Sequence, residues 1–478
     1  MSSPLTAAAE TEVGGYFRVM TRPDFQGGNG ALGYWNLYGR LLNEGPYAAV
    51  EMKVDLLEPH PTSHAAWTRV HARIEGDSIG NADPDDGQLS ELRLSQVYAL
   101  AGNVGLQNVT WRMGTLETYF GDLGLYDMRP TTLFEDTVGA SGRWQTERLE
   151  VQLGMGDAGY AIRGSEYNTI FTGGGTLRWR PLNRLEFGLG GQARHEPRVD
   201  DNRYAPHTTP GTTYEDFVRQ EVVESWLAEH PDDTEDFPDP VATDGQSWKA
   251  VGYLGFGDLG PLSWTNLFAA MSRLHPDSFY EESLEDDAVT IFVTDLTDER
   301  YQLTLGGEAQ FTVAPWLDGV LSGLYGSHWD LDNQIVPTDH DRQYTSTVLR
   351  LQAYLRPTVH LLLESSMARE FSRNGNAYRE HRDSIFANTD GTPDTEGLQY
   401  GDTDTRNTWQ GKGGLVLNPM GPGVFTRPSL RLLYGTQHSN QNNAFGNSFI
   451  ETLDQHGDFD AVERHWHHLI SLETEVWF

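Results

Sequence analysis

The chain closes on Leu469-Ile470-Ser471-Leu472-Glu473-Thr474-Glu475-Val476-Trp477-Phe478. In an extended segment Ile470, Leu472, Thr474, Val476 and Phe478 fall on one side, and Ser471, Glu473, Glu475 and Trp477 on the other. A period of two marks a strand with one apolar and one polar face. If the apolar face meets lipid, the solvent, the compartment and the shape of the protein all follow from this segment.

The composition fits that reading. There are 34 basic and 69 acidic residues in 478, a formal net charge of -35. Nucleic-acid binding needs positive surface, so no nucleic-acid partner is expected. Hydrophobic residues make up 38% and the mean hydropathy is -0.52. No run approaches the roughly 18 apolar residues of a membrane helix. A transmembrane barrel needs none, because it shows lipid only every second residue. Gly (51), Trp (13), Tyr (20) and Phe (20) suit turns, crowded walls and aromatic girdles. Cys is absent, which excludes disulfides and thiolate metal sites. Residues 1–11 show no apolar signal core and read as an N-terminal extension of a mature exported protein.

Strand-like segments then alternate with short turns and long polar loops. The first runs near Val13–Thr21, the second from about Tyr34 to Leu57, the seventeenth near Val424–Gln437 and the last over Arg464–Phe478. About 18 such segments occur, an even number as bacterial single-chain barrels have. The expected fold is therefore all-β: one transmembrane antiparallel up-and-down β-barrel over 12–478. Short periplasmic turns would lie at one rim and long extracellular loops at the other. Residues 120–136 are expected to fold inward as a constriction loop, and 194–245 to form a long acidic external loop. Within the latter, Glu229–Pro240 (E-H-P-D-D-T-E-D-F-P-D-P) lacks the spacing of a calcium loop and reads as a solvated acidic stretch.

No G-x-S-x-G, H-E-x-x-H or P-loop motif occurs, so the chain reads as non-enzymatic, without catalytic residues. His465, His467 and His468 stand at the start of the last strand, where a rim position accounts for them; neither metal nor cofactor is expected. A lumen that passes sugar needs aromatic faces for the apolar side of a pyranose. It also needs charged and amide groups to exchange hydrogen bonds with hydroxyls. Strand phase supplies candidates. Tyr16 and Arg18 oppose Val13, Phe17 and Val19; Glu51, Lys53 and Asp55 oppose Val50, Met52 and Val54. Glu91, Arg93 and Ser95 oppose Leu92 and Leu94; Phe425, Arg427, Ser429 and Arg431 oppose Leu430 and Leu432. Tyr16, Phe425 and Trp477 are then aromatic residues on the polar, inner face. Tyr16 and Trp477 would equally suit an interfacial girdle, and the arginines could pair with wall carboxylates to stiffen the lumen.

The terminal aromatic strand resembles the closing strand of bacterial outer-membrane barrels, and several short motifs are similar to those of the maltoporin and sucrose-porin family. Gly15-Tyr16-Phe17-Arg18 resembles its first-strand G-Y-x-R, and R-L-L-N-E at Arg40–Glu44 with E-M-K at Glu51–Lys53 resembles its second strand. F-T-R-P-S-L-R at Phe425–Arg431 is similar to W-S-R-P-A-I-R, and E-V-W-F at Glu475–Phe478 to E-I-W-W. Arg93 falls at a channel arginine, and Asp122 and Asp127 at two acidic constriction positions. The resemblance implies an aromatic slide including Tyr16, Phe425 and Trp477, with Tyr126 near the place of the loop aromatic. It implies a polar track and constriction of Arg18, Arg40, Glu51, Arg93, Asp122, Asp127 and Arg129. It further implies a homotrimer in the outer membrane of a Gram-negative bacterium, with saccharides (maltodextrin- or sucrose-like) and lipid as partners. The chain departs from the pattern at Ala49, where the family has a slide aromatic, with Tyr47 close by. It departs again at Arg129, which holds the loop aromatic's position, and at Phe120, which holds a loop arginine's. The segment Asp77–Gly87 has no aromatic to reach a neighbouring subunit, and the family's first-loop disulfide is absent. Three other readings stay open. They are a non-specific or cation-preferring diffusion porin, an exopolysaccharide export barrel, and a barrel-anchored enzyme or adhesin.

Overall fold

The computed structural model describes residues 10–23, 25, 32–33, 35–57, 65–76, 93–159, 169–197, 245–274, 282–284, 288–290, 300–329, 342–372, 405–440 and 465–478. The segment 77–87, the stretch 229–240 and most of 1–11 and of 194–245 lie outside the described residues.

The first nine strands are β1 (Glu10–Thr21), β2 (Tyr47–Leu57), β3 (Trp67–Gly76), β4 (Arg93–Gly102), β5 (Val109–Thr115), β6 (Val138–Gln145), β7 (Leu149–Asp157), β8 (Phe171–Leu182) and β9 (Leu185–Glu196). Then follow β10 (Gly245–Leu259), β11 (Leu262–Leu274), β14 (Arg300–Ala314), β15 (Leu317–Trp329), β16 (Arg342–Arg356), β17 (Val359–Ser372), β18 (Thr405–Leu417), β19 (Ser429–Ser439) and β20 (Trp466–Trp477). These strands form one 18-stranded sheet in which each pairs antiparallel with its neighbours in the chain. Two three-residue strands, β12 (Glu282–Leu284) and β13 (Ala288–Thr290), pair only with each other. The sheet closes where β1 meets β20, with Tyr16 opposite Trp477. Gly15 and Phe478 exchange backbone hydrogen bonds at 2.9 and 3.0 Å. Closure leaves no free edge, which is what lets strands cross hydrocarbon.

Burial is inverted relative to a soluble protein. On β20 Ile470 and Leu472 are 50% and 46% exposed, whereas Ser471 and Glu473 are 0% and 2%. The same alternation sets Val50 and Met52 of β2 outward and Ala49 and Asp55 inward. Apolar residues out and polar residues in is stable only if the outer medium is lipid. Two-residue connections at 183–184, 260–261, 315–316 and 357–358 mark one rim. The other rim carries the long connections, among them 22–46 and 116–137.

The structure corrects two expected strands. The second strand does not begin at Tyr34: β2 starts at Tyr47, and the preceding residues include a single helical turn, α1 (Trp35–Tyr38), and turns through Glu44. Leu32, Leu37, Leu41 and Leu42 are buried there, because the segment turns into the barrel and packs on its wall. The seventeenth barrel strand begins at Ser429, not near Val424. Pro428 has no N–H to give a ladder, so Phe425 and Arg427 sit in the preceding turn.

Inside the barrel lies an apolar core of a kind that a water-filled tube would lack. Leu37 and Tyr38 from the first inward segment and Leu123, Leu125 and Tyr126 from the second pack on Phe268, Val320, Leu324, Tyr344, Val348 and Ala368 of the wall. Around that core, charges are paired rung by rung. Glu364 on β17 faces Arg350 on β16 and Lys412 on β18. It accepts from Arg350 Nε at 2.6 Å and Lys412 Nζ at 2.9 Å. Glu370, opposite Arg406, accepts from Arg406 Nε at 2.9 Å and from the Tyr38 hydroxyl at 2.7 Å. Buried ions survive only when paired like this. Glu364→Gln leaves two buried cations facing one neutral amide and should cost about 3–5 kcal/mol. The urea midpoint of the folded barrel in detergent should fall accordingly. The triple replacement Arg350→Met, Glu364→Leu, Lys412→Met removes the charges together and should restore most of the loss.

Candidate functional site

Two inward segments narrow the lumen. The first is 32–46. The second, 116–137, is a small hairpin tied at its base by Leu116 N–H to Thr137 O (2.9 Å) and by the bridges Thr118–Leu133 and Leu123–Met128. Its apolar side faces the wall. Phe120 stacks on Tyr253 with centroids 5.9 Å apart. Leu116, Leu133 and Phe134 pack with Val251 and Ala270. Gly188 makes room for it, since a Cβ there would lie 2.7 Å from the Phe120 ring. Wall arginines grip the backbone: Arg112 donates to Glu117 O at 3.1 Å, Arg178 to Tyr119 O at 3.1 Å and Arg194 to Glu135 O at 2.6 Å. Glu308 accepts from Leu125 N–H at 2.9 Å. The two segments dock on each other through Arg40 N–H to Leu125 O at 2.8 Å.

Packing is one-sided. Inner residues of β15 to β18 such as Ser322, Ser346, Glu364 and Gln410 are all but sealed. On β2 the inner Glu51 and Lys53 side chains keep 33% and 39% of their surface. The solvated lane therefore runs beside β1, β2 and the strands that follow, facing the uncovered side of the hairpin, and of the inner residues of β20 only Trp477 at its end is open to it. Glu117, Tyr119, Asp122, Asp127 and Arg129 lie on that side.

The aromatic residues expected in the lumen separate into three cases. Tyr16 and Trp477 meet at 4.9 Å on the inner face of the closure seam, Trp477 being 64% exposed. Phe425 is partly buried and supports the hairpin: its ring lies 2.8 Å from where a Cβ on Gly124 would stand. Tyr126 is fully buried, with its hydroxyl 2.8 Å from Ser346 Oγ, so it offers no face to a solute. The hairpin's hydrophobic side had to go against the wall, and Tyr126 went with it.

The polar residues also divide. Arg18 is buried against Glu44 and anchors the first segment. Arg40 donates to Glu44 (3.1 Å), to Glu475 (2.9 Å) and to the Tyr16 hydroxyl (2.9 Å), and lies 3.9 Å from Asp127. Glu51 stands 3.6 Å from Arg73, 3.5 Å from His71 and 3.9 Å from Lys53. The Arg93 side chain keeps 79% of its surface and reaches Glu75 at 3.2 Å. Arg129 pairs with Glu117 at 3.6 Å and lies over the Tyr119 ring at 4.3 Å. Asp122 offers its backbone oxygen to Asn266, while its carboxyl, partly desolvated inside the barrel, is raised above the usual range. Arg129 opposes that shift and Asp127 adds to it.

Sequence phase did not select Tyr47, Tyr98 or Tyr119. Tyr47 packs 5.7 Å from Tyr16, extending the seam pair to three rings. It shares its face with Glu51, a signal that was present in the alternation. Tyr98 was hidden by a bulge. The β3–β4 register slips between Arg73, opposite Gln96, and Ile74, opposite Leu94. One extra residue reverses the faces beyond it, so Gln96 and Tyr98 point inward although Arg93 does too. The histidines cannot converge: His467 and His468 point to opposite faces, and His468 stacks on Tyr434 outside. Among the described residues no group of three His, Cys, Asp or Glu is placed to hold a metal ion.

A closed barrel with an apolar outer belt and a polar, partly plugged lumen defines a transmembrane β-barrel of the Gram-negative outer membrane. No protein-family description matches the chain, and no curated protein does. Solved structures match over nearly all of their length at low identity. The outer membrane channel DcaP of Acinetobacter baumannii is 10% identical, with 99% of this chain and 98% of that one covered and a TM-score of 0.41. The outer membrane protein OpdK of Pseudomonas aeruginosa is 9% identical, with 98% and 99% covered and 0.43. OmpT of Vibrio cholerae is 8% identical, with 98% of each covered and 0.40.

The raised Asp122 carboxyl makes lumen charge depend on pH. A raised group takes up its proton at a higher pH than an ordinary carboxylate. On acidification the lane should lose this negative charge at a higher pH than an ordinary aspartate would, and anion permeability should rise. Asp122→Asn should raise anion permeability at neutral pH and remove that step, read as reversal potential in a salt gradient. A pH step unchanged in Asp122→Asn would assign it to another group.

Proposed function

We propose that the barrel is a passive-diffusion channel that carries saccharides along the solvated lane. The observation that carries this reading is the cluster of Trp477, Tyr16 and Tyr47, three rings within 4.9 and 5.7 Å on the inner face of a polar wall. Lipid-facing packing would have placed large aromatic residues on the other face. Here they stand beside Arg73, which donates to the Tyr47 hydroxyl at 2.7 Å, and beside Arg40 and Glu475. An apolar plate bordered by charged donors and acceptors suits a pyranose, whose two faces are apolar and whose rim is hydroxyl. Diffusion down a concentration gradient needs no energy input.

Arg18, Arg40 and Glu44 hold the first inward segment, and Phe425 and Tyr126 hold the second. The residues left for the solute are Tyr16, Tyr47, Trp477, Glu51, Arg93, Asp122, Asp127 and Arg129. Single-channel recording with a panel from glucose to long maltodextrins tests the reading. Neutral sugars should interrupt the ion current, and Trp477→Ala should weaken the block by about three- to tenfold, the scale of one aromatic contact. Ion current that no sugar interrupts would make this a non-specific diffusion porin.

A further inference from the structure

Cations on the packed side of the lumen are cancelled by carboxylates. Arg350 and Lys412 share Glu364, Arg406 meets Glu370, and Arg22 meets Glu473. Arg40, Arg427 and Arg431 all reach Glu475. On β5 and β6 the pattern changes. The Arg112 guanidinium has a backbone oxygen as acceptor, which is neutral and leaves its charge in place. Among the described residues no carboxylate lies within 4.0 Å of Arg112 or Arg143. The register sets Arg112 opposite Ser141 and Thr110 opposite Arg143. The two guanidinium groups therefore occupy diagonal positions on one inner face, where like charges repel.

A third cation reaches the same place from the hairpin. Arg129 stands 3.6 Å from Glu117 Oε1, and the other Glu117 oxygen accepts from Gln96 at 3.0 Å. Arg112 binds the backbone of that same Glu117, so the groups converge around one residue. Of these three guanidinium groups only that of Arg129 has a carboxylate within 4.0 Å among the described residues, in a protein whose formal net charge is -35. Two lie over tyrosine rings: Arg112 at 3.8 Å from the Tyr98 centroid and Arg129 at 4.3 Å from that of Tyr119. Tyr119 keeps 37% of its surface.

We propose that these residues form a subsite for an acidic saccharide, a sugar whose ring bears a carboxylate. The carboxylate sits between Arg112 and Arg143, where charge-assisted hydrogen bonds relieve the repulsion. Gln96, Glu117 and Arg129 exchange hydrogen bonds with the ring hydroxyls, and the exposed side of Tyr119 carries the apolar face. This subsite rests on the saccharide reading above. It deepens that reading, because the seam aromatics are indifferent to charge and this group is not.

The test is current block of the full barrel in planar bilayers by glucuronate, glucose and acetate at equal concentration and ionic strength. Glucuronate should block more strongly than glucose, and acetate, which has no ring, more weakly than glucuronate. Arg143→Gln should cut the glucuronate-to-glucose ratio about tenfold, the value of one charged hydrogen bond. It touches none of the hydrogen bonds that hold the hairpin. Arg112→Gln should do the same, and Arg112→Lys should restore part of the ratio. Glucose block without preference for glucuronate, or a preference that survives both glutamine variants, overturns the subsite and leaves the sugar channel standing. Absence of block by either sugar overturns both. Acetate equal to glucuronate overturns the sugar specificity of the subsite.

Discussion

The carboxylate of Glu475 is the group on which the rest of the lumen depends. It stands on the last strand, opposite Arg18 of β1 in the closing ladder, and only 1% of its residue surface is exposed. It accepts from the Tyr16 hydroxyl at 2.8 Å, from Arg40 at 2.9 Å and from Arg431 of the preceding strand, and it pairs with Arg427 of the preceding turn at 2.6 Å. A charge this deeply withdrawn from water persists only when its partners are in place. The partners belong to four parts of the chain: β1, the first inward segment, the turn before β19, and β19. One buried anion thus couples closing the wall to seating the plug, and it orients Tyr16 against Trp477.

The plug makes the barrel asymmetric. Where the inward segments lean, the wall behaves like the interior of a soluble protein, with leucines, a buried tyrosine and ion pairs matched across β16, β17 and β18. Where they do not lean, inner side chains stay hydrated and charges need not cancel. The hairpin separates the two regimes, with an apolar side against β10 and β11 and a side of acids, Arg129 and Tyr119 turned to the lane. The same segment therefore supplies packing on one face and presents charged and aromatic groups to the lane on the other. Arg112 does both, holding the loop through a backbone oxygen while keeping its charge.

Much of this was legible in the chain. Each expected strand appears, because lipid on one side and water on the other impose an alternation that survives without any knowledge of neighbours. The inner placement of Tyr16, Glu51, Glu475 and Trp477 follows from the same rule. The failures are where a second rule competes. Tyr34 to Gly45 looked extended, yet three leucines there, Leu37, Leu41 and Leu42, found a better apolar surface inside the barrel than in the wall. Tyr126 looked like a solute contact beside two aspartates, and only packing shows that it is sealed behind them. Tyr98 was not selected, because one bulged residue sets it on the same inner face as Arg93, out of step with simple alternation.

Alternation along the chain was enough to mark a barrel, to place its wall, and to say which face of each regular strand meets lipid. A period of two is a local property, and every residue reports its own side. Tertiary structure alone decided which inner residues touch water, which arginines are neutralised and which are not, and which aromatics remain free. Those depend on contacts between residues hundreds of positions apart, such as Tyr16 with Glu475 or Lys412 with the backbone of Tyr38. Closing the sheet and folding two segments into it bring these residues together, and no periodicity along the chain encodes that meeting.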